Sequence, residues 1–140
     1  MESWGTLAGV RIAVIEDDIT LRESLAIFLR VKGCLVETFG CAEDAIGAVV
    51  LGKFGVVISD FILPGEDGIS VLRRARGASK TVATMLISGQ VSMELWEKTR
   101  LAGIDSFLPK PFSTVELEDT LQQMIDKGCG KSGDIPEASA

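Results

Sequence analysis

The groups able to do chemistry in this chain are carboxylates, one lysine and a hydroxyl, because it contains no histidine. Asp60 stands out. It closes an apolar run, Phe54-Gly55-Val56-Val57-Ile58-Ser59, and opens Phe61-Ile62-Leu63-Pro64-Gly65-Glu66-Asp67-Gly68. A carboxylate where a buried strand gives way to a Pro-Gly turn stands at the carboxyl edge of a sheet, where open α/β sheets bind ligands. Val14-Ile15-Glu16-Asp17-Asp18 and Phe107-Leu108-Pro109-Lys110-Pro111-Phe112 lead to the same edge. Ser88 ends another apolar run, and Gly89 after it lets the backbone approach an anion.

Brought together, Glu16, Asp17 and Asp60 oppose their own folding. Two unit charges ~4 Å apart repel by ~4 kcal/mol at an effective dielectric of about 20. Such a cluster needs a cation or a shared proton. A few oxygen ligands with positions left for water and phosphate suit Mg²⁺ better than Zn²⁺. Lys110 is a compact charge able to reach Asp60, or a phosphoryl oxygen once one is there. The parts describe a phosphoryl acceptor. Asp60 is the nucleophile, a metal neutralises developing charge, and Lys110 and Ser88 hold the phosphoryl oxygens. Asp18 reads as a helix-start acid and is left out of the site.

The elements that position these groups alternate between strand-like and helix-like periodicity. Strands are expected at 10–15, 35–39, 56–59, 82–87 and 104–108. Helices are expected at 20–32, 42–51, 69–76, 92–102 and 113–127. Gly33 caps the first helix, and Ser113 with Glu116 has capping-box spacing. Trp96 and Thr99 are expected to face the sheet, and the Arg73, Arg74, Arg76, Lys80 cluster to be solvated. Five strand-helix pairs predict an α/β fold, a doubly wound parallel sheet with helices on both faces. The winding reverses between strands one and three, which brings Asp17 and Asp60 together. Residues 1–8 read as a lead, 9–127 as one domain, and 128–140 as a flexible tail with no room for an output domain.

Composition bounds the rest. The 140 residues are 46% hydrophobic and 24% charged, which fits one globular domain. The net charge of −6 offers no basic footprint for nucleic acid. No apolar run approaches the ~20 residues of a membrane span, and no signal peptide opens the chain, so a cytoplasmic location is expected. The absence of histidine excludes Ser-His-Asp and Cys-His nucleophilic sites, His-ligated zinc and phosphohistidine carriers. Cys34, Cys41 and Cys129 show no C-x-x-C spacing and read as small apolar residues.

The chain resembles the receiver domains of bacterial two-component response regulators, over about residues 10–125. The resemblance rests on Val14-Ile15-Glu16-Asp17, on Asp60 with the turn after it, on Leu86-Ile87-Ser88-Gly89, and on Lys110-Pro111. It implies a flavodoxin-like sheet of strand order 2-1-3-4-5 and a cis Lys110-Pro111 bond. It also implies Mg²⁺ held by Glu16, Asp17, Asp60 and the Ile62 carbonyl. Asp60 would take its phosphoryl group from a sensor histidine kinase or a histidine phosphotransfer protein. Ser88 and Phe107 would act as the switch, and Ile62 and Gln90 would tune phosphoryl lifetime. The switched surface, built by the fourth helix, fifth strand and fifth helix, would dock a downstream protein. Phe107 lacks the hydroxyl of a tyrosine, so its outward state should be less favoured in water.

A stand-alone phosphoacceptor module is the expected function, with a receiver excised from a hybrid sensor kinase as the alternative. A Mg²⁺-dependent phosphatase of the haloacid dehalogenase type needs a second aspartate two residues after the nucleophile, and position 62 is isoleucine. Turnover as an enzyme is therefore not expected. Flavin binding is disfavoured because Glu16-Asp17-Asp18 would repel its phosphate. A docking module that is never phosphorylated fits poorly with a full set of acids, hydroxyl and lysine.

Overall fold

A computed structural model describes residues 7–127, and the lead before them, the tail 128–140 and Cys129 lie outside the described residues. Five strands form one wholly parallel sheet: β1 (Arg11–Ile15), β2 (Leu35–Phe39), β3 (Val56–Asp60), β4 (Ala83–Ser88) and β5 (Ser106–Pro109). Their order is β2-β1-β3-β4-β5, the flavodoxin-like arrangement. Five helices connect them: α1 (Ile19–Val31), α2 (Ala42–Val49), α3 (Gly68–Ala78), α4 (Met93–Leu101) and α5 (Thr114–Asp126).

Burial along the strands follows from this order. The central strands β3 and β4 are buried at every residue, and β1 at all but Arg11. The edge strand β2 is mostly exposed, and the edge strand β5 is half-buried. Strands covered on both faces need continuous apolar runs, which is what β1, β3 and β4 carry. Successive side chains still alternate between faces. Ile12, Val14, Ile58, Met85 and Ile87 pack on Leu25, Leu29, Leu117, Leu121 and Ile125 of α1 and α5. Ala13, Ile15, Val57 and Leu86 pack on Ala45, Val49, Leu72 and Leu95 of α2, α3 and α4. Leu7, expected in the lead, is wholly buried and accepts a bond from the Cys34 thiol.

The helix ends are chemically specified. Asp18, Asp67 and Ser92 each accept a bond from a backbone N–H in the first turn of α1, α3 and α4. At α5 Ser113 and Glu116 complete the capping box, with bonds of 2.8 and 3.0 Å. Gly33 follows the last turn of α1 at φ +95°, a conformation costly for other residues.

Two surface expectations are corrected. The inward residues of α4 are Leu95 and Thr99, so Trp96 lies about 100° round the helix from the first of them and is 51% exposed. Its ring rests on Phe107 of β5 instead, with centroids 5.5 Å apart. Arg76 is not free in solvent. It pairs with Asp105 at 2.6 Å and donates to the Gly103 carbonyl, tying α3 to the start of β5.

Candidate functional site

Three loops at the carboxyl edge of the sheet build the site. The strand order puts β1 beside β3, so the ends of these strands deliver Glu16, Asp17 and Asp60 to one point. One carboxylate oxygen from each lies within 4.8 Å of the others. Asp60 and Glu16 are buried, at 6% and 1% exposure, whereas Asp17 faces solvent. Lys110 follows β5. Its backbone N–H donates to the Ser88 carbonyl at 2.8 Å, and its peptide bond to Pro111 is cis. The ammonium then reaches inward, 3.3 Å from Asp60 Oδ1 and 3.1 Å from Glu16 Oε1.

The expectation that Lys110 meets Asp60 is therefore only half of the arrangement, since the ammonium bridges two acids. Burial opposes the Lys110 charge, but Glu16 and Asp60 outweigh it and hold its pKa above the ordinary value. Glu16 behaves differently. Burial, the largest influence, and the neighbouring Asp60 raise its pKa. The Asp18 N–H and Lys110 pull the other way without cancelling the rise.

This donor set fits a hard divalent cation. With every group ionised, three carboxylates and one ammonium sum to −2. Glu16 Oε1 is fully buried and, among the described residues, has no hydrogen-bond partner besides its ion pair with Lys110. All the available ligands are oxygens, as Mg²⁺ prefers. Glu16, Asp17 and Asp60 would hold the ion, which would neutralise their mutual repulsion.

The hydroxyl of Ser88 is buried at the same edge but engaged locally. It donates to the Gln90 carbonyl at 3.0 Å and accepts from the Gln90 N–H at 2.9 Å. Ile62, 55% exposed, and the exposed Gln90 lie on the loops after β3 and β4. Phe107 is half-buried, paired in register with Leu86 and covered from outside by Trp96. Asp18 caps α1, the helix-start role expected of it.

Gly68 was legible only as a turn residue. It begins α3 so close to β3 that a Cβ there would fall 2.1 Å from the Asp60 carbonyl oxygen. Its N–H donates to the Phe61 carbonyl, while the Phe61 N–H donates to the Ile87 carbonyl. The backbone carrying Asp60 is thus held between α3 and β4. Its sequence signal is the Pro64-Gly65-Glu66-Asp67-Gly68 turn, which shows a tight turn but not a backbone contact.

The fold is that of a receiver domain. The response regulator receiver domain family model matches residues 12–122, and the chain belongs to that family. It is 27% identical over 132 residues to the cell cycle transcriptional regulator CtrA of Caulobacter vibrioides, covering 90% of this chain and 57% of that protein. It is 30% identical over 128 residues to the response regulator MprA of Mycolicibacterium vanbaalenii, covering 88% of this chain and 55% of that one. The chain thus spans little more than half the length of these relatives. A CheY-like response regulator receiver domain from Methanospirillum hungatei superposes with a TM-score of 0.82 at 22% identity, over 86% of this chain and 97% of that one. Receivers of this family are phosphoacceptor switches that work with histidine kinases or phosphotransfer proteins. Among the described residues no helix is long and apolar enough to cross a membrane.

Proposed function

We propose that Asp60 accepts a phosphoryl group from a phosphohistidine on a sensor kinase or phosphotransfer protein, with Mg²⁺ at Glu16, Asp17 and Asp60. The observation that carries this reading is a buried carboxylate at the end of β3, paired to an ammonium and facing two further acids. An Asp60 oxygen bonds to phosphorus as the bond to the donor nitrogen breaks, and that electron pair returns to the imidazole. A carboxylate nucleophile has no proton to give up, so the transfer needs no base, which suits a chain without histidine. Bound Mg²⁺ supplies charge neutralisation at the phosphoryl oxygens. The Ile62 carbonyl is a further candidate ligand.

The chain's own residues do the rest. Lys110 exchanges its contact with Asp60 for one with a phosphoryl oxygen. Ser88 turns its hydroxyl from the Gln90 backbone towards another. Phosphorylation puts roughly two negative charges where one stood. Phe107 follows Ser88 inward, and the surface of α4, β5 and α5 changes shape for a downstream partner. Ile62 and Gln90 flank the path of the hydrolytic water and set the lifetime.

Incubating the chain with acetyl phosphate and Mg²⁺ should add the mass of one phosphoryl group. Asp60→Asn should not be labelled. Labelling that persists in the variant places the acceptor elsewhere.

A further inference from the structure

Arg22 lies outside the acidic cluster, yet it holds the backbone from which the cluster hangs. Its Nη1 donates to the Glu16 carbonyl at 2.9 Å. The Glu16 N–H donates to the Phe39 carbonyl at 3.0 Å, at the end of β2. The peptide groups on both sides of Glu16 are therefore held, one by a strand and one by a guanidinium. The carbonyl that Arg22 grips belongs to the peptide plane leading into Asp17. Fixing that plane sets the direction in which Asp17 leaves the chain. On the far side of Asp17 the Asp18 N–H donates to Glu16 Oε2 at 3.1 Å, while the exposed Asp17 carboxylate itself has no hydrogen bond or ion pair among the described residues.

The seat for this guanidinium depends on residue 40 having no side chain. A Cβ on Gly40 would fall 2.8 Å from Arg22 Nη1. Gly40 does not adopt a left-handed backbone, so alanine would be tolerated by the chain and would displace only the arginine tip. Arg22 and Gly40 thus act as one device spanning the loops after β1 and β2.

We propose that Arg22, seated on Gly40, is a positioning residue that orients the Glu16-Asp17 pair for a divalent cation. This rests on the reading of the acidic cluster as a Mg²⁺ site. Two effects of removing Arg22 have opposite signs. Coulomb's law alone predicts tighter cation binding once a nearby positive charge is gone. Loss of positioning predicts weaker binding, because groups that orient metal ligands typically contribute tenfold or more to affinity.

Calorimetric Mg²⁺ titration of the full chain decides between them. Arg22→Ala should raise the Mg²⁺ dissociation constant roughly tenfold. Gly40→Ala, which keeps the charge and displaces the guanidinium, should raise it in the same direction. Arg30→Ala is the control. It removes an equal charge and an equivalent bond, from Arg30 Nη2 to the Val36 carbonyl at 3.0 Å, in the last turn of the same helix. It should leave Mg²⁺ binding unchanged. Arg22→Ala binding Mg²⁺ as tightly as wild type, or more tightly, overturns the proposal, as does equal weakening by Arg30→Ala. If Arg22→Ala does not fold, Gly40→Ala carries the test alone. A wild type that binds no Mg²⁺ removes the site itself, whereas a binding wild type with unaffected variants removes only the role of Arg22.

Discussion

Burial makes the charge on Glu16 costly to the fold. Its pKa is raised from 4.5, with burial as the main cause. The folded state therefore binds this proton more readily than the unfolded one. The associated stability is complete below the unfolded value and lost as pH rises through the raised folded value. In metal-free buffer, Glu16→Gln should be more stable than wild type near neutral pH. The difference should vanish as pH falls towards 4.5. Saturating Mg²⁺ should narrow or reverse the difference, because a ligand at a hundredfold excess over its dissociation constant stabilises by about 2.7 kcal/mol. Thermal melts across pH, with and without Mg²⁺, measure both effects. A less stable Glu16→Gln in metal-free neutral buffer would mean that the Lys110 pair outweighs burial.

Among the elements, the junction of β3 and α3 fixes the nucleophile. Gly68 lets α3 begin against the strand's last carbonyl, and a Cβ 2.1 Å from that oxygen has no room. The neighbour it meets is backbone, which cannot rotate away. Gly68→Ala should therefore destabilise by roughly 3 kcal/mol, the upper end of ordinary overpacking, read as a lowered urea midpoint. Labelling of Asp60 should slow as well, since the shift falls on its own peptide. A midpoint equal to wild type would show that α3 can move aside freely. At this scale the helix starts were readable to within a residue, because caps are local chemistry, while the ends of α2 and α3 and the start of β5 fell two residues away. Ser113 and Glu116 declared the start of α5 from their spacing, and the first turn of α5 confirms it. The ends of β3 and β4 ran one residue further than the apolar pattern, to Asp60 and Ser88, because ladder bonding continues past the last hydrophobic side chain.

At the scale of the whole molecule, Trp96 of α4 and Phe107 of β5 form an aromatic contact between two elements. Phe107 belongs to β5, in register with Leu86, and carries Trp96 of α4 on its outer side. Any inward movement of Phe107 takes away the ring on which Trp96 rests. Phosphorylation of Asp60 should therefore shift Trp96 emission, and the shift should survive Trp4→Phe but not Trp96→Phe. Unchanged emission on full labelling would place the switch elsewhere. Exposed Val91, Met93 and Trp96 lie along the same element and its preceding loop, so that surface has apolar groups to rearrange.

The alternation of strands and helices, the apolar character of β1, β3 and β4, and the arrival of Asp17, Asp60 and Lys110 at one edge followed from residue order, whereas the sheet order 2-1-3-4-5 came from the family resemblance. Burial forces a periodic pattern on the chain, and parallel connections leave few ways to wind it. What the folded chain alone decided were contacts between side chains on different elements: Lys110 shared between Glu16 and Asp60, Arg22 on the Glu16 carbonyl over Gly40, Trp96 on Phe107, and Arg76 on Asp105. Such contacts depend on distances between elements far apart in the chain. Hydrophobic periodicity sets which face of an element turns inward, and it carries no record of which polar group waits across the gap.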